Sequence, residues 1–179
     1  MHILLTGPSQ IGKTTIIQEI MKLALENNWD IGGFSTYFGT EYHPHFKKLY
    51  LEDINLPKSY DDSSMIAFFQ DNLPVTVYHA RFDHFAVDLL QKQQKNAQLF
   101  LLDECSFLES TAYAFQNEVL QLFQNQTMVI AVARPDKAIW LRSLLDQPDI
   151  KVYDLSIANR DTVKKEVLEE VYSRMARLP

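Results

Sequence analysis

A short apolar strand, His2-Ile3-Leu4-Leu5-Thr6, runs into Gly7-Pro8-Ser9-Gln10-Ile11-Gly12-Lys13-Thr14, and an amphipathic stretch over residues 13–27 follows. A turn of this form, G-x-x-x-x-G-K-[ST], closes a strand and opens a helix, so it commits the chain to an α/β layout. Glycines let the turn adopt dihedrals closed to other residues and let backbone amides converge on phosphate oxygens. The helix N-terminus adds unpaired N–H groups and partial positive charge. In this motif Lys13 reaches the β- and γ-phosphates, and the Thr14 hydroxyl ligates Mg²⁺.

A phosphate turn of this kind needs an acid at the end of a second apolar strand. Leu99-Phe100-Leu101-Leu102-Asp103-Glu104 supplies two. Asp103 is the expected metal ligand, direct or through water, and Glu104 the group that orients or deprotonates an attacking water. Charge on a transferring phosphoryl group also calls for a cation, and three arginines are candidates: Arg81, Arg134 and Arg160. Arg134 directly follows the apolar run Val129-Ile130-Ala131-Val132-Ala133, where ligands of an open α/β sheet bind.

The remaining pattern alternates strand and helix, which predicts a mostly parallel sheet. Strands are expected at 31–37, 98–103, 127–133 and 151–155. Helices are expected at 82–95, around Phe115 to Phe123, at 137–145 and at 161–177. Val163, Val167, Val171 and Met175 would bury the last of these. Residues 38–73 break the alternation with aromatics at Phe38, Tyr42, Phe46 and Tyr50, then Pro57, polar 59–64 and Phe68-Phe69. A structureless run of this length is rare in a compact domain, so it reads as a strand-bearing insert near the site. Within it, 46–51 is expected as an edge or hairpin strand, and His43-Pro44-His45 as surface loop rather than metal site.

With 179 residues, the whole chain, 1–179, is expected to form a single domain. A net charge of −6 argues against non-specific nucleic-acid binding, while a few local cations suffice for a nucleotide. No apolar run reaches membrane-span length and no export signal precedes the first strand, so a cytoplasmic location is expected. The one cysteine, Cys105, excludes an internal disulfide and is expected to be buried. N-K-x-D and L-S-G-G-Q are both absent, which argues against a signalling GTPase and a transporter ATPase.

From about residue 2 to 175 the chain resembles the P-loop nucleoside-triphosphatases of the cancer-related and thermophile type. The likeness rests on residues 3–15, on Ile31-Gly32-Gly33-Phe34-Ser35-Thr36, on Leu102-Asp103-Glu104, and on 149–155 followed by Asn159-Arg160-Asp161. It implies a three-layer, RecA-like P-loop fold and slow, Mg²⁺-dependent hydrolysis of ATP, GTP and other nucleoside triphosphates to diphosphate and phosphate. It also implies a phosphate cradle of Gly7, Pro8, Ser9, Gln10, Ile11, Gly12, Lys13, Thr14 and Thr15, with Asn159 and Arg160 near the nucleotide. Two stretches depart from the family pattern. The family's Tyr-Thr-x-Glu-x-Arg becomes Ser35-Thr36-Tyr37-Phe38-Gly39-Thr40, and Gly-Lys after the acids becomes Ser106-Phe107. Nucleotide binding is expected to survive these changes and turnover to be retuned. A nucleoside or nucleotide kinase and a nucleotide-gated binding module are the alternatives.

Overall fold

The computed structural model describes residues 1–40, 43 and 45–176. Tyr42 and Pro44 of the aromatic-rich run, Glu41, and Arg177, the expected end of the last helix, lie outside the described residues. Eight strands are present among the described residues: β1 His2–Thr6, β2 Ile31–Phe38, β3 Phe46–Asp53, β4 Met65–Gln70, β5 Leu73–Val77, β6 Leu99–Cys105, β7 Met128–Ala133 and β8 Ile150–Asp154. They form one sheet in the order β5-β4-β3-β2-β6-β7-β1-β8. Pairing is parallel from β2 through β6, β7 and β1 to β8, and antiparallel among β2, β3, β4 and β5. This is the expected mostly parallel α/β sheet, widened by an antiparallel wing.

Five α-helices among the described residues cover it: α1 Lys13–Glu26, α2 His79–Arg81, α3 Val87–Gln93, α4 Tyr113–Leu122 and α5 Arg160–Met175. Because strand side chains alternate faces, β1 sends Ile3 and Leu5 to one layer and Leu4 to the other. The first layer is closed by Ile16, Ile17, Ile20 and Ala24 of α1 and by Val163, Val167, Val171 and Met175 of α5. The second is closed by Phe82, Ala86 and Leu90, and by Phe115, Val119 and Leu122 of α4. The central strands β6 and β7 are buried on both faces, which is why 99–102 of β6 and all of β7 read as unbroken apolar runs.

Three expectations are corrected. The insert holds three strands instead of one. Of the two readings of its segment Phe46–Asp53, hairpin strand holds and edge does not: it pairs antiparallel on both sides, β5 is the edge, and the wing extends past residue 73 to Val77. The helix expected at 82–95 begins at His79 and ends at Gln93, with a π-turn over Phe82–Ala86 between α2 and α3. That turn changes the angular step per residue, so Phe85 is exposed although Phe82, Ala86 and Leu90 stay in line. It also aims the Asp83 carboxylate at the Phe115 amide, 3.0 Å away, satisfying a donor in the first turn of α4. Residues 137–145 form a 3₁₀ segment, Ile139–Leu144, in place of an α-helix.

Candidate active site

The ends of β1, β6, β7 and β8 open on one rim of the sheet, the carboxyl end of every parallel strand. β7 lies between the glycine-turn strand β1 and the acid-bearing strand β6. Gly7 and Gly12 have φ of +118° and +109°, and a Cβ on Gly7 would stand 2.4 Å from the Leu155 carbonyl oxygen. Glycine at position 7 thus allows both the left-handed turn and the close approach of the β8 exit.

Lys13 is buried, and its ammonium donates to the carbonyls of Gly7 at 2.9 Å and Pro8 at 2.6 Å. Burial lowers its pKa, with Glu104 and Asp103 opposing and Arg134 adding to the fall. The first helical turn carries Thr14 beneath β6, where its hydroxyl donates to Asp103 Oδ1 at 3.3 Å. Asp103 is pushed up to about 6, chiefly by burial, against the Thr14 hydrogen bond and the fields of Lys13 and Lys58. Glu104 is also raised by burial, with Arg134, Lys13 and Lys137 pulling the other way. Its backbone amide donates to the Thr36 hydroxyl at 3.3 Å, so β2 helps fix the acid pair.

Arg134 leaves the end of β7 and donates from Nη1 to Ser9 Oγ at 2.9 Å, across the glycine turn. Its Nε is buried with no hydrogen-bond partner among the described residues. Arg160 is exposed at the start of α5, on the other side of the turn. With Ile11, Gly12, Thr15 and Lys164 it lines a cleft of about 160 Å³. Asn159 uses its amide internally: Oδ1 accepts from the Ser156 amide at 2.7 Å and Nδ2 donates to the Asp154 carbonyl at 3.0 Å. It fixes the turn that presents Arg160. Pro8, Ser9, Gln10 and Thr15 are exposed around the turn, while Ile11 is buried beneath it.

Arg81 does not join the group. Its guanidinium donates to the carbonyls of Asp62 and Met65 and covers the Tyr78 ring at 4.7 Å, tying the wing to α2. His45 pairs with Asp71 at 2.6 Å, and among the described residues no cluster of three or more His, Cys, Asp or Glu could hold a metal. Cys105 is fully buried, as expected. Two contributors escaped the sequence reading. Thr36 lies inside a recognised motif but meets Glu104 only through the β2–β6 register. Glu109 is buried, with a carboxyl oxygen accepting the Ser106 amide at 2.9 Å just beyond the acid pair.

The chain is similar to proteins across its length. The sequence profile of the NTPase family matches residues 2–168. The nucleoside-triphosphatase THEP1 of Methanocaldococcus jannaschii is 23% identical, covering 96% of this chain and 97% of that protein. Its counterpart from Thermotoga maritima is 25% identical, with 94% of each chain covered. The crystal structure of THEP1 from Aquifex aeolicus superposes with a TM-score of 0.64 at 18% identity, over 96% of this chain and 99% of that one. No helix among the described residues is long and apolar enough to cross a membrane. The chain belongs to the NTPase family.

Proposed function

We propose that this NTPase-family chain hydrolyses nucleoside triphosphates to diphosphate and phosphate, with Mg²⁺ and with little preference among bases, in the reducing cytoplasm. One observation carries the reading: Lys13, Thr14, Asp103, Glu104 and Arg134 converge on the rim where the glycine turn begins α1. The exchange of Lys13 from the Gly7 and Pro8 carbonyls to the β- and γ-phosphates would replace two neutral acceptors by charged ones, a stronger pairing. Thr14 and Asp103 suit Mg²⁺, because they present hard oxygens close together and leave the other positions to water and phosphate. When bound, that ion neutralises charge on the β- and γ-oxygens.

Glu104 acts on the nucleophile. Its carboxylate orients a water toward the γ-phosphorus and accepts a proton as the new P–O bond forms and the bond to the β-phosphate oxygen breaks. Burial makes it a better base than an exposed glutamate. Arg134, already against Ser9, would meet charge on the transferring group. The cleft beside Arg160 is lined by Ile11, Ile16 and Leu155 and by the exposed Arg160 and Asp161, which supports acceptance of several bases. The single free, buried Cys105 suits a reducing compartment.

The test is phosphate release from ATP, GTP, CTP and UTP with Mg²⁺, comparing wild type, Lys13→Ala and Glu104→Gln. Turnover in the wild type and its loss in both variants is the expected result. Labelled γ-phosphate passing to an added nucleoside would make the chain a kinase. Nucleotide binding with no turnover in the wild type would make it a nucleotide-gated module.

A further inference from the structure

The front of the antiparallel wing continues the active-site rim. Register places Asp103 of β6 beside Ser35 of β2, and Ser35 beside Glu52 of β3, so the three residues form one row on the face that carries α1. Two residues further along β2, Tyr37 is buried and stacks on Tyr50 at 5.8 Å, with Tyr60 edge-on at 5.4 Å. The Lys58 ammonium lies over the Tyr37 ring, 4.8 Å from its centroid.

The loop that carries Lys58 is tied at both ends. Ser59 donates its amide to Glu52 Oε2 at 3.0 Å and to the Tyr37 hydroxyl oxygen at 3.2 Å, and its hydroxyl also bonds Glu52. Ser64 donates to Glu52 at 3.0 Å. Asn55 donates to the Ile31 carbonyl at 2.8 Å, fastening the start of the loop to β2. Burial pushes Glu52 up, yet these hydroxyls and amides outweigh it and hold its carboxyl below the ordinary value, so it stays an anionic anchor. Lys58 itself is exposed, its ammonium held only against the face of the Tyr37 ring among the contacts of the described residues. Its charge is free to act outward, from a loop anchored on Glu52, which shares a row with Ser35 and Asp103.

We propose that Lys58 is a catalytic residue that contacts a γ-phosphate oxygen from the wing side, opposite Arg134. A flexible four-carbon stem lets the ammonium leave the Tyr37 ring for a phosphate, and a charged acceptor outcompetes an aromatic face. The γ-phosphoryl group would then lie between two cations on different elements, Arg134 from β7 and Lys58 from the loop after β3. The assignment rests on the triphosphatase reading above.

The experiment compares wild type, Lys58→Ala and Lys58→Arg in two assays. Steady-state phosphate release from Mg²⁺-ATP is expected to lose about 100-fold in kcat in Lys58→Ala and to be largely restored in Lys58→Arg. Calorimetric titration is expected to show weakened binding of the imido analogue of ATP and unchanged binding of ADP, which lacks the γ-phosphate. Equal changes for both nucleotides, or an unchanged kcat, would overturn the proposal and leave Lys58 as a prop of the loop. If the wild type releases no phosphate, the triphosphatase reading fails. The analogue-against-ADP difference still decides whether Lys58 meets the γ-phosphate.

Discussion

Glu109 is 1% exposed, and its pKa is pushed up to about 7, mostly by burial, with the charge on Glu104 adding to the shift. An unfolded glutamate ionises near 4.3. Between those values the folded chain holds a proton that the unfolded chain has released, so stability from this group falls as pH rises from about 4.5 to about 7. Glu109→Gln cannot ionise, and its amide oxygen can still accept from Ser106. We expect the variant to gain roughly 3 kcal/mol on wild type between pH 4.5 and pH 8, read from urea midpoints across that range. His2 slopes the other way. Burial lowers it to about 4 and its Nδ1 accepts the Val129 amide at 3.1 Å, so the wild-type curve alone would conceal the effect. The variant-minus-wild-type difference removes His2, which is common to both. A difference that does not grow with pH would mean that Glu109 is ionised within the fold. Residues such as these are poorly legible in sequence. Lys13, Thr14, Asp103 and Glu104 could be nominated from sequence because each sits in a contiguous motif, and the fold brings them together. Thr36, Lys58 and Glu109 depend on strand register and on what covers them.

Among the elements, the parallel half was legible and the wing only in part. β7 is apolar from end to end, β6 is apolar up to its acid pair, and α5 repeats its buried residues every fourth position, which are strong signals. β3 mixes Lys47 and Lys48 with aromatics, and β5 contains Pro74, so neither alternates cleanly. One local signal was available: Asp71 and Asn72, at φ of 49° and 65°, form a two-residue turn between β4 and β5 of the kind that closes tight hairpins. The wing makes Arg81 informative, because two carbonyls and the Tyr78 ring occupy its guanidinium. Arg81→Ala should loosen the wing locally by about 1–3 kcal/mol and change kcat less than threefold. Hydrogen exchange should quicken in β4 and β5 while β1, β6 and β7 keep their protection. A tenfold fall in kcat with wing protection intact would return Arg81 to the phosphate site.

At the scale of the molecule, one sheet runs through both halves, and the second apolar layer joins wing residues Leu49, Leu51 and Ile66 to Phe100 and Phe115 without a break. A continuous core of this kind supports one cooperative unit over the whole chain. The two tryptophans report on opposite faces: Trp29 packs in the layer under α1 and α5, and Trp140 donates to the Ser106 carbonyl at 3.1 Å on the other side. Trp29→Phe and Trp140→Phe variants, each followed by fluorescence and far-ultraviolet dichroism, should give coincident melting curves. Separate transitions would split the chain into two units. Nucleotide linkage sharpens the test, because the site is built from the ends of four strands and from α1, so a ligand there must stabilise the whole. Mg²⁺-ADP at 100 times its Kd should add about 2.7 kcal/mol, a rise of roughly 5–10 °C in Tm for a domain of this size. Both fluorescence probes should move together by that amount, and Lys13→Ala should abolish the shift. A rise seen only by Trp29 would mean that nucleotide stabilises the α1 layer alone and that the sheet does not couple its two faces.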